Sequence, residues 1–284
     1  MDEQGRTTVG VLHPGAMGAA VAGVIVEAGH QVLWTSEDRS QATVERAEHL
    51  GLEDVHWLNG VVNQSDIIIS ICPPHAALEV AEDVRNMGYQ GVYVDANAVS
   101  PETTRRVGKI VESVGAMFVD GGIIGGPPVD AQAGTRLFLS GPEAARVTHV
   151  FGDGPLRVEV LDGPVGAASA LKMAYAAWTK GTSALLASVM ALAVHEGVLE
   201  PLQAQWDPAL LKRAEGLGGA AAKAWRWAGE MEEIAASFQA AALPDGFHLA
   251  AAEVYRRLEQ FKDDPQAPGG ADLARHLLAG QPDA

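Results

Sequence analysis

Residues 8–30 decide the fold, and they read TVGVLHPGAMGAAVAGVIVEAGH. The β-branched and apolar residues from Thr8 to Leu12 predict a strand. The small and apolar residues from Ala16 to Ala28 predict a helix, which Gly29 ends. A glycine-containing turn between a first strand and a helix is typical of folds that bind dinucleotides, because the helix N-terminus offers free amide groups to a pyrophosphate.

The turn at residues 13–18 carries two of the three glycines of the dinucleotide-binding pattern. Gly15 stands where the backbone approaches the pyrophosphate, and Gly18 stands where the helix packs closely on the strand. His13 takes the first position, where a glycine would ease the tight turn. We expect the whole turn to contact a dinucleotide, namely His13, Pro14, Gly15, Ala16, Met17 and Gly18. The alternative interpretation is an ordinary glycine turn.

Strands and helices alternate through the first half of the chain. Further strands are predicted over residues 31–35, 67–72, 92–95, 117–120, 136–140 and 157–161. Further helices are predicted over residues 40–50, 75–87 and 101–114. This order predicts a doubly wound α/β sheet, the Rossmann fold. From residue 163 onward the pattern is helical only, so we predict a Rossmann domain over residues 1–162 and an all-α C-terminal domain over residues 163–284.

The composition limits the classes of function. The chain has 284 residues, a formal net charge of −16 and one cysteine, Cys72. Such an acidic surface repels phosphates and anionic lipids, so we expect no nucleic-acid partner and no membrane partner. One cysteine permits no intrachain disulfide, and the polar residues 1–8 contain no apolar signal segment, so we expect a cytoplasmic protein. No spacing of His, Cys and Asp in the sequence indicates a metal site.

Residues 36–40, Ser-Glu-Asp-Arg-Ser, bear on the choice between NAD and NADP. Glu37 and Asp38 suit the ribose 2′-hydroxyl of NAD, which acidic residues bind at this place. Ser36, Arg39 and Ser40 suit the 2′-phosphate of NADP instead. We expect NADP, with NAD as the alternative. The alternative interpretation of Arg39 is a surface residue that begins the next helix.

The ends of two later strands supply further candidates. Cys72 and Pro73 follow the apolar strand over residues 67–72, and we expect cofactor contacts there. The alternative for Cys72 is a buried structural side chain. Asn97 follows the strand over residues 92–95 and is expected to contact both the nicotinamide and the substrate. Its alternative is a turn residue ahead of Ser100.

Four segments together resemble the β-hydroxyacid dehydrogenase superfamily, which includes 3-hydroxyisobutyrate and 6-phosphogluconate dehydrogenases. They are residues 10–30, residues 94–101 (VDANAVSP), residues 118–126 (FVDGGIIGG) and residues 163–172 (GPVGAASALK). The resemblance implies a substrate-binding segment that contains Gly125 and Gly126, and a catalytic residue at Lys172.

Two departures from the family pattern alter the groups that bind a substrate acid. Ile124 stands where the family usually has serine, and Ala176 stands where it usually has asparagine. This variant pattern resembles a branch of the superfamily whose C-terminal helical domain long lacked an assigned function.

Lys172 has the chemistry that a hydride transfer between an alcohol and a carbonyl requires. The oxygen needs a proton donor and acceptor, and partial burial of a lysine lowers its pKa toward neutrality. The alternative is a lysine at the helix edge with its ammonium in water, the interpretation we prefer for Lys180. Tyr175 shares a helix face with Lys172 and is expected to bind substrate, or else to be a core aromatic residue.

The sequence therefore predicts an enzyme, a NAD(P)-dependent oxidoreductase acting on a small hydroxy or oxo compound. Lys172 is the general acid–base, and the substrate is positioned by Asn97, Gly125, Gly126 and Tyr175. One alternative is an NADPH-dependent enzyme like the imine reductases, since loss of the serine and a tyrosine near the lysine suit a cyclic imine. The other is a dinucleotide-binding sensor without catalysis. A long helical pattern runs from Val165 to about Gly197, and its apolar residues need a partner. The resemblance implies pairing through this domain, so we expect a homodimer.

Overall fold

The computed structural model describes residues 5–279. Residues 1–4 of the predicted polar N-terminus lie outside the described residues, as do residues 280–284. The chain divides into two compact units, Met1–Lys172 and Met173–Ala284. The division falls after Lys172, inside a helix, whereas residue 163 marks the change from strands to helices.

The first unit is built on one eight-stranded sheet. Its strands are β1 (Thr8–Leu12), β2 (Gln31–Trp34), β3 (Glu53–Asp54), β4 (Ile67–Ser70), β5 (Val92–Asp95), β6 (Met117–Ile124), β7 (Arg136–Ser140) and β8 (Arg157–Val160). They lie in the order β3-β2-β1-β4-β5-β6-β7-β8. Neighbouring strands are parallel except β6 and β7, which are antiparallel. The carboxyl ends of β1, β2, β4, β5 and β6 therefore meet at one edge, and the predicted Rossmann fold is confirmed.

Helices cover both faces of this sheet. They are α1 (Ala16–Glu27), α2 (Gln41–His49), α3 (Leu58–Gln64), α4 (Ala77–Asn86) and α5 (Pro101–Glu112). Alternate strand residues enter different cores: Val9 and Ile69 pack in one apolar cluster, and Leu12 and Ile68 pack in the other. Burial on both faces explains the run of three isoleucines over residues 67–69 in β4.

The second unit is helical throughout its described residues. The helix α6 (Ala167–His195) begins in the first unit and continues into the second, followed by α7 (Leu199–Gln203), α8 (Pro208–Glu215), α9 (Gly218–Ala221), α10 (Ala224–Ala240), α11 (Gly246–Arg257) and α12 (Gly270–Ala279). The predicted helical character is confirmed. By length and hydropathy alone α6 resembles a membrane-spanning helix, a test that long core helices of soluble proteins also pass.

Three elements differ from the sequence expectation. The pattern predicted neither β3 nor α3, because β3 is two charged residues long and α3 contains Gly60 among polar residues. The strand β6 continues to Ile124 through a pair of glycines that looks like a loop.

Candidate functional site

The turn between β1 and α1 leaves the first amides of the helix without a side-chain cap. Gly15 is the N-cap residue of α1 and makes no capping hydrogen bond. Its N–H donates to the His13 carbonyl at 2.7 Å, which makes the turn tight. His13 has φ of +62°, in the left-handed region where glycine is favoured. The turn therefore has the backbone form of a dinucleotide-binding loop with a histidine at its first glycine position.

Gly18 and Gly15 lack side chains for different reasons. A Cβ added at Gly18 would lie 2.8 Å from the His13 carbonyl oxygen, so only glycine lets α1 start this close to the turn. A Cβ added at Gly15 would meet no atom of the described chain within 4 Å. Open space at the uncapped start of a helix fits the approach of a pyrophosphate, so these residues fit a dinucleotide.

Pro14, Met17 and Ala16 complete the turn. Pro14 is buried, and its carbonyl accepts a hydrogen bond from the Arg46 guanidinium at 3.4 Å. Met17 packs against the core on its side of the sheet, whereas Ala16 is exposed.

A pocket of about 310 Å³ lies at the carboxyl ends of β1 and β2. Its apolar lining comes from Leu12, Leu58, Ala76 and Val80. Its polar lining comes from His13, Thr35, Glu37, Asp38, Arg39, Glu79 and Asp83. Of the predicted cofactor contacts, the structure brings His13 and Arg39 together in this pocket.

His13 and Arg39 each place a buried nitrogen in this region without a partner. His13 Nδ1 and Arg39 Nε have no hydrogen-bond partner within the described chain. Burial, and secondarily the positive charge of Arg39, lower the pKa of His13 to about 4. The imidazole is therefore neutral at physiological pH, and its Nδ1 has no partner among the described residues.

The two serines predicted to bind the cofactor do not line the pocket. The backbone N–H of Ser36 donates to Asp54 Oδ1 at 3.1 Å, and the Ser40 hydroxyl pairs with that of Thr43 at 3.0 Å. Desolvation raises the pKa of Asp54, but hydrogen bonds from Ser36 and His56 outweigh it and hold the pKa below its usual value. Both serines shape the loop, and their contact with a cofactor stays a prediction.

Asn97 joins the ends of β4 and β5. Its Oδ1 accepts from the Cys72 backbone N–H at 2.6 Å, and its Nδ2 donates to the Ser70 hydroxyl at 3.2 Å. Asn97 is 2% exposed, so it holds the strand ends together from inside. Burial raises the pKa of the Cys72 thiol to about 12, which keeps it protonated. Pro73 is exposed just beyond.

Two buried carboxyl groups lie side by side at this edge. Asp95 and Asp120 are register partners on β5 and β6, and both are fully buried. Burial is the largest influence on Asp95 and raises its pKa to about 7, although Asn97 N–H and the Thr104 hydroxyl donate to it.

Asp120 anchors the start of α6, a role that the sequence did not predict. Its Oδ2 accepts from the Gly166 and Ala168 N–H groups at 2.9 Å and from the Ser169 N–H at 3.2 Å. The hydroxyls of Ser140 and Ser169 donate to the same carboxylate at 2.7 and 2.6 Å. A carboxylate with these donors at a helix N-terminus fixes the position of the helix. All the donors come from residues 140–169, so no local pattern around Asp120 reveals them.

Lys172 lies on α6 beside the end of β6. Its Nζ donates to the Ile123 carbonyl. A Cβ added at Gly122 would lie 2.5 Å from the Ala168 carbonyl oxygen and 3.2 Å from Lys172 Cβ. Gly122 is therefore where α6 touches the strand, and this contact places the Lys172 side chain at the carboxyl edge of the sheet.

The substrate-binding segment continues past β6. Gly125 has φ of +124°, and an added Cβ would lie 2.9 Å from Thr135, so glycine is required there by the fold. Gly126 is exposed and would meet no atom of the described chain within 4 Å. Its carbonyl accepts from the Thr135 hydroxyl at 2.6 Å. Both backbones are accessible, with half-buried Ile124 before them.

In the second unit, Tyr175 is 48% exposed, so it is not a core residue. Lys180 corrects the sequence interpretation, which placed its ammonium in water. Its side chain is only 13% exposed and forms an ion pair with Glu230 of α10. The Tyr255 hydroxyl donates to the Lys180 carbonyl at 2.7 Å, which ties α11 to the same turn of α6.

Comparison with known proteins gives two family matches. The NAD binding domain of 6-phosphogluconate dehydrogenase matches residues 8–152, and a domain of unknown function (DUF1932) matches residues 190–258. A curated protein of Methanothermus fervidus, described as an uncharacterized 28.5 kDa protein in the 7S RNA 5′ region, is 33% identical over 58% of this chain and 62% of its own length. The match thus spans less than two thirds of that relative.

Two solved structures share the fold. The 3-hydroxyisobutyrate dehydrogenase of Mycobacterium tuberculosis, solved with L-serine, aligns with a TM-score of 0.70 at 18% identity, covering 98% of this chain and 100% of that one. The reductive aminase of Aspergillus terreus, solved with NADPH and ethyl levulinate, aligns with a TM-score of 0.55 at 18% identity, covering 97% and 100%. The likeness to these two structures shows the fold alone, and a cytoplasmic location stays a prediction. The NAD-binding match extends over half of the chain, so this protein belongs to the β-hydroxyacid dehydrogenase-like superfamily, with an NAD(P)-binding domain of the 6-phosphogluconate dehydrogenase type.

Proposed function

We propose that this chain is a NAD(P)-dependent oxidoreductase that acts on a small hydroxy or oxo compound, with Lys172 as the general acid–base. The observation that carries the proposal is the edge of the sheet where the carboxyl ends of β1, β4, β5 and β6 meet: the uncapped start of α1 follows β1, and the Lys172 side chain lies at the end of β6. A nicotinamide nucleotide bound at this edge supplies or accepts the hydride.

Lys172 supplies the proton in this proposal. An ammonium group has three N–H donors, and the Ile123 carbonyl takes one of them, which orients the group and leaves two for a substrate oxygen. The lysine gives a proton to that oxygen when a carbonyl is reduced and takes one when an alcohol is oxidised. Because α6 is held by Asp120, the ammonium is placed before substrate arrives.

The groups proposed to position the substrate differ in accessibility. Gly125 and Gly126 offer exposed backbone, and Tyr175 offers a hydroxyl one helical turn beyond Lys172. Asn97 has both side-chain polar atoms engaged, so one Nδ2 hydrogen remains for a ligand. We therefore assign Asn97 mainly to positioning the strand ends around the cofactor.

NADP is the proposed nucleotide, and Arg39 supports it. Its guanidinium lies in the pocket at the end of β2, with a buried Nε that has no partner among the described residues. A guanidinium there suits a 2′-phosphate. Calorimetry should show tighter binding of NADPH than of NADH, and Arg39→Ala should remove most of the difference while leaving NADH affinity nearly unchanged. Equal affinities in the unaltered protein would contradict the NADP assignment, and tighter binding of NADH would reverse it in favour of NAD.

The oxidoreductase itself is tested with a panel of hydroxyacids and carbonyl compounds and both nucleotides. Lys172→Ala should abolish turnover and leave nucleotide affinity nearly unchanged. Lys109→Ala, at an exposed lysine of α5, is the matched control and should keep full turnover. Full turnover in Lys172→Ala would remove the catalytic role. Nucleotide binding without turnover on any compound would favour the sensor instead.

A second candidate is imine reduction. Its support is local: Ile124 replaces a serine that would bind a carboxylate, and the exposed Tyr175 hydroxyl stands near Lys172 along α6. The likeness to the reductive aminase agrees with this candidate but concerns the fold alone. Cyclic imines assayed beside hydroxyacids with NADPH separate the two, since each hypothesis expects turnover on one class only.

A homodimer is proposed through α6. Large apolar residues are exposed along it at spacings of three, four or seven residues. They are Tyr175, Trp178, Leu185, Val189 and Leu192. This spacing is typical of a helix that pairs with another helix, so a second copy of the chain is the proposed occupant. Light scattering should give twice the chain mass, and Leu192→Glu should give the monomer mass. A monomer before any substitution would contradict the proposal.

A further inference from the structure

The histidine at the first glycine position of the turn is unexplained by the fold. His13 has φ of +62°, which costs a residue with a Cβ about 1 kcal/mol or more relative to glycine. Nothing in the described chain repays this cost, because His13 Nδ1 is buried without a hydrogen-bond partner. A strained residue with an unsatisfied nitrogen that lines a pocket points to a ligand.

A second unsatisfied nitrogen lies in the same pocket. Arg39 Nε is also buried without a partner among the described residues, and the guanidinium is close enough to influence the ionisation of His13. An anion between the two groups would accept a hydrogen bond from each of them. On the proposed function, the anion found at this place is the phosphate on the adenosine ribose of NADP.

We propose that His13 and Arg39 together form the subsite for the 2′-phosphate of NADP, and that the imidazole takes up a proton when the phosphate binds. This inference rests on the proposed nucleotide-dependent function and adds to it a residue and a pH dependence. The phosphate neutralises the Arg39 charge that opposes protonation of the imidazole, and a protonated imidazole donates from both nitrogens.

The charged groups around His13 set the direction of the effect. Glu37, Asp38 and Arg39 face it from the loop after β2, and Glu79 and Asp83 face it from α4. In the free protein, burial and Arg39 hold the pKa of His13 at about 4, so the imidazole is neutral. Binding that adds a proton is favoured at lower pH, and the four carboxylates that line the same pocket oppose the binding of a bare phosphate.

Calorimetry with NADP⁺ and NAD⁺ on the full chain tests the proposal, because repeating it in buffers of different ionisation enthalpy measures proton uptake. Uptake of part of one proton is expected for NADP⁺ and none for NAD⁺. NADP⁺ affinity should rise about two- to tenfold between about pH 8 and about pH 6. The phosphate's own ionisation contributes equally to every variant compared.

Two variants separate a ligand role from a structural one. His13→Gly should unfold at the same or a higher temperature, since glycine suits the left-handed turn, and yet lose about tenfold or more of its preference for NADP⁺ over NAD⁺. His13→Asn, which also tolerates this conformation, should abolish the proton uptake. Unchanged preference and unchanged uptake in both variants would overturn the inference while leaving nucleotide binding intact. Failure of the unaltered protein to bind either nucleotide would overturn the proposed function itself.

Discussion

The anchor that Asp120 provides for α6 can be tested by removing its charge. Asp120→Asn keeps an acceptor for the Ser169 hydroxyl but turns an amide NH₂ toward the N–H groups of Gly166, Ala168 and Ser169. Each buried donor left without an acceptor costs about 1–3 kcal/mol. The Ala168 N–H keeps the Ser140 Oγ at 3.1 Å as a second acceptor, so two such donors, at Gly166 and Ser169, give an expected loss of at least about 2 kcal/mol in the free energy of unfolding.

Asp95→Asn is the matched control. Asp95 is the register partner of Asp120, equally buried, but it accepts hydrogen bonds only from Asn97 N–H and the Thr104 hydroxyl among the contacts described. Burial raises its pKa to about 7, so at about pH 6 the carboxyl is mostly neutral and asparagine resembles it. Its expected cost at that pH is under about 1 kcal/mol, because the substitution removes almost no charge.

Urea unfolding at about pH 6 gives the two free energies, and hydrogen exchange gives the local effect. The amides of Ala168 and Ser169 should exchange faster in Asp120→Asn, whereas those at the centre of the sheet should change only with global stability. The anchoring argument would be refuted if the free energy of unfolding of Asp120→Asn lay within about 1 kcal/mol of that of the unaltered protein and the amides at the start of α6 stayed protected from hydrogen exchange.

Two further predictions concern the same edge of the sheet. Gly122→Ala puts a Cβ 2.5 Å from the Ala168 carbonyl oxygen, so the free energy of unfolding should fall by about 1–3 kcal/mol. The control Gly229→Ala adds a Cβ in open space within α10 and should raise that free energy by up to about 1 kcal/mol. Equal effects of the two substitutions in thermal unfolding would contradict the contact between Gly122 and Ala168. Between about pH 4 and 7, Asp95 binds more protons in the folded protein than in the unfolded chain, so the free energy of unfolding should fall as pH rises through that range. Asp95→Asn should make this fall shallower. If urea unfolding gave the same pH dependence of that free energy for both proteins, the raised pKa would be disproved.

The sequence predicted best the elements whose cause is local. Thr8–Leu12 and Ala16–Glu27 carry their own period and their own turn, and the structure has them within a residue of the expected bounds. The helix Leu58–Gln64 was not predicted, because its sequence favours a loop and burial of Val61 and Val62 stabilises it from outside the segment. Strand β6 was predicted too short for a similar reason, since its two glycines meet residues elsewhere in the chain: Gly122 lies against α6, and Gly121 lies close to the Asp95 carbonyl.

The residues of the candidate site show the same contrast between local and long-range causes. Lys172 was predicted from sequence because its helix resembles a known one, and its catalytic role stays a prediction. The carboxylate that fixes that helix was not predicted, since Asp120 meets its partners 20 to 49 residues away. Lys180 looked like a surface lysine because its partner, Glu230, lies 50 residues further along the chain. Pairings over such distances have no periodic signal in one sequence.

The glycines of the site show where packing stops explaining the sequence. Gly18 and Gly122 are required by the fold, because any Cβ there would press against a backbone oxygen. Gly15 and Gly126 have free space and no left-handed backbone, so the fold alone would accept alanine, which loses less entropy on folding. His13 is the reverse case, a side chain where the backbone favours glycine. All three exceptions lie at the carboxyl edge of the sheet, where a bound nucleotide and substrate would supply the contacts that the protein itself does not. A ligand is therefore the simplest single cause for a missing side chain at two positions and an extra one at the third.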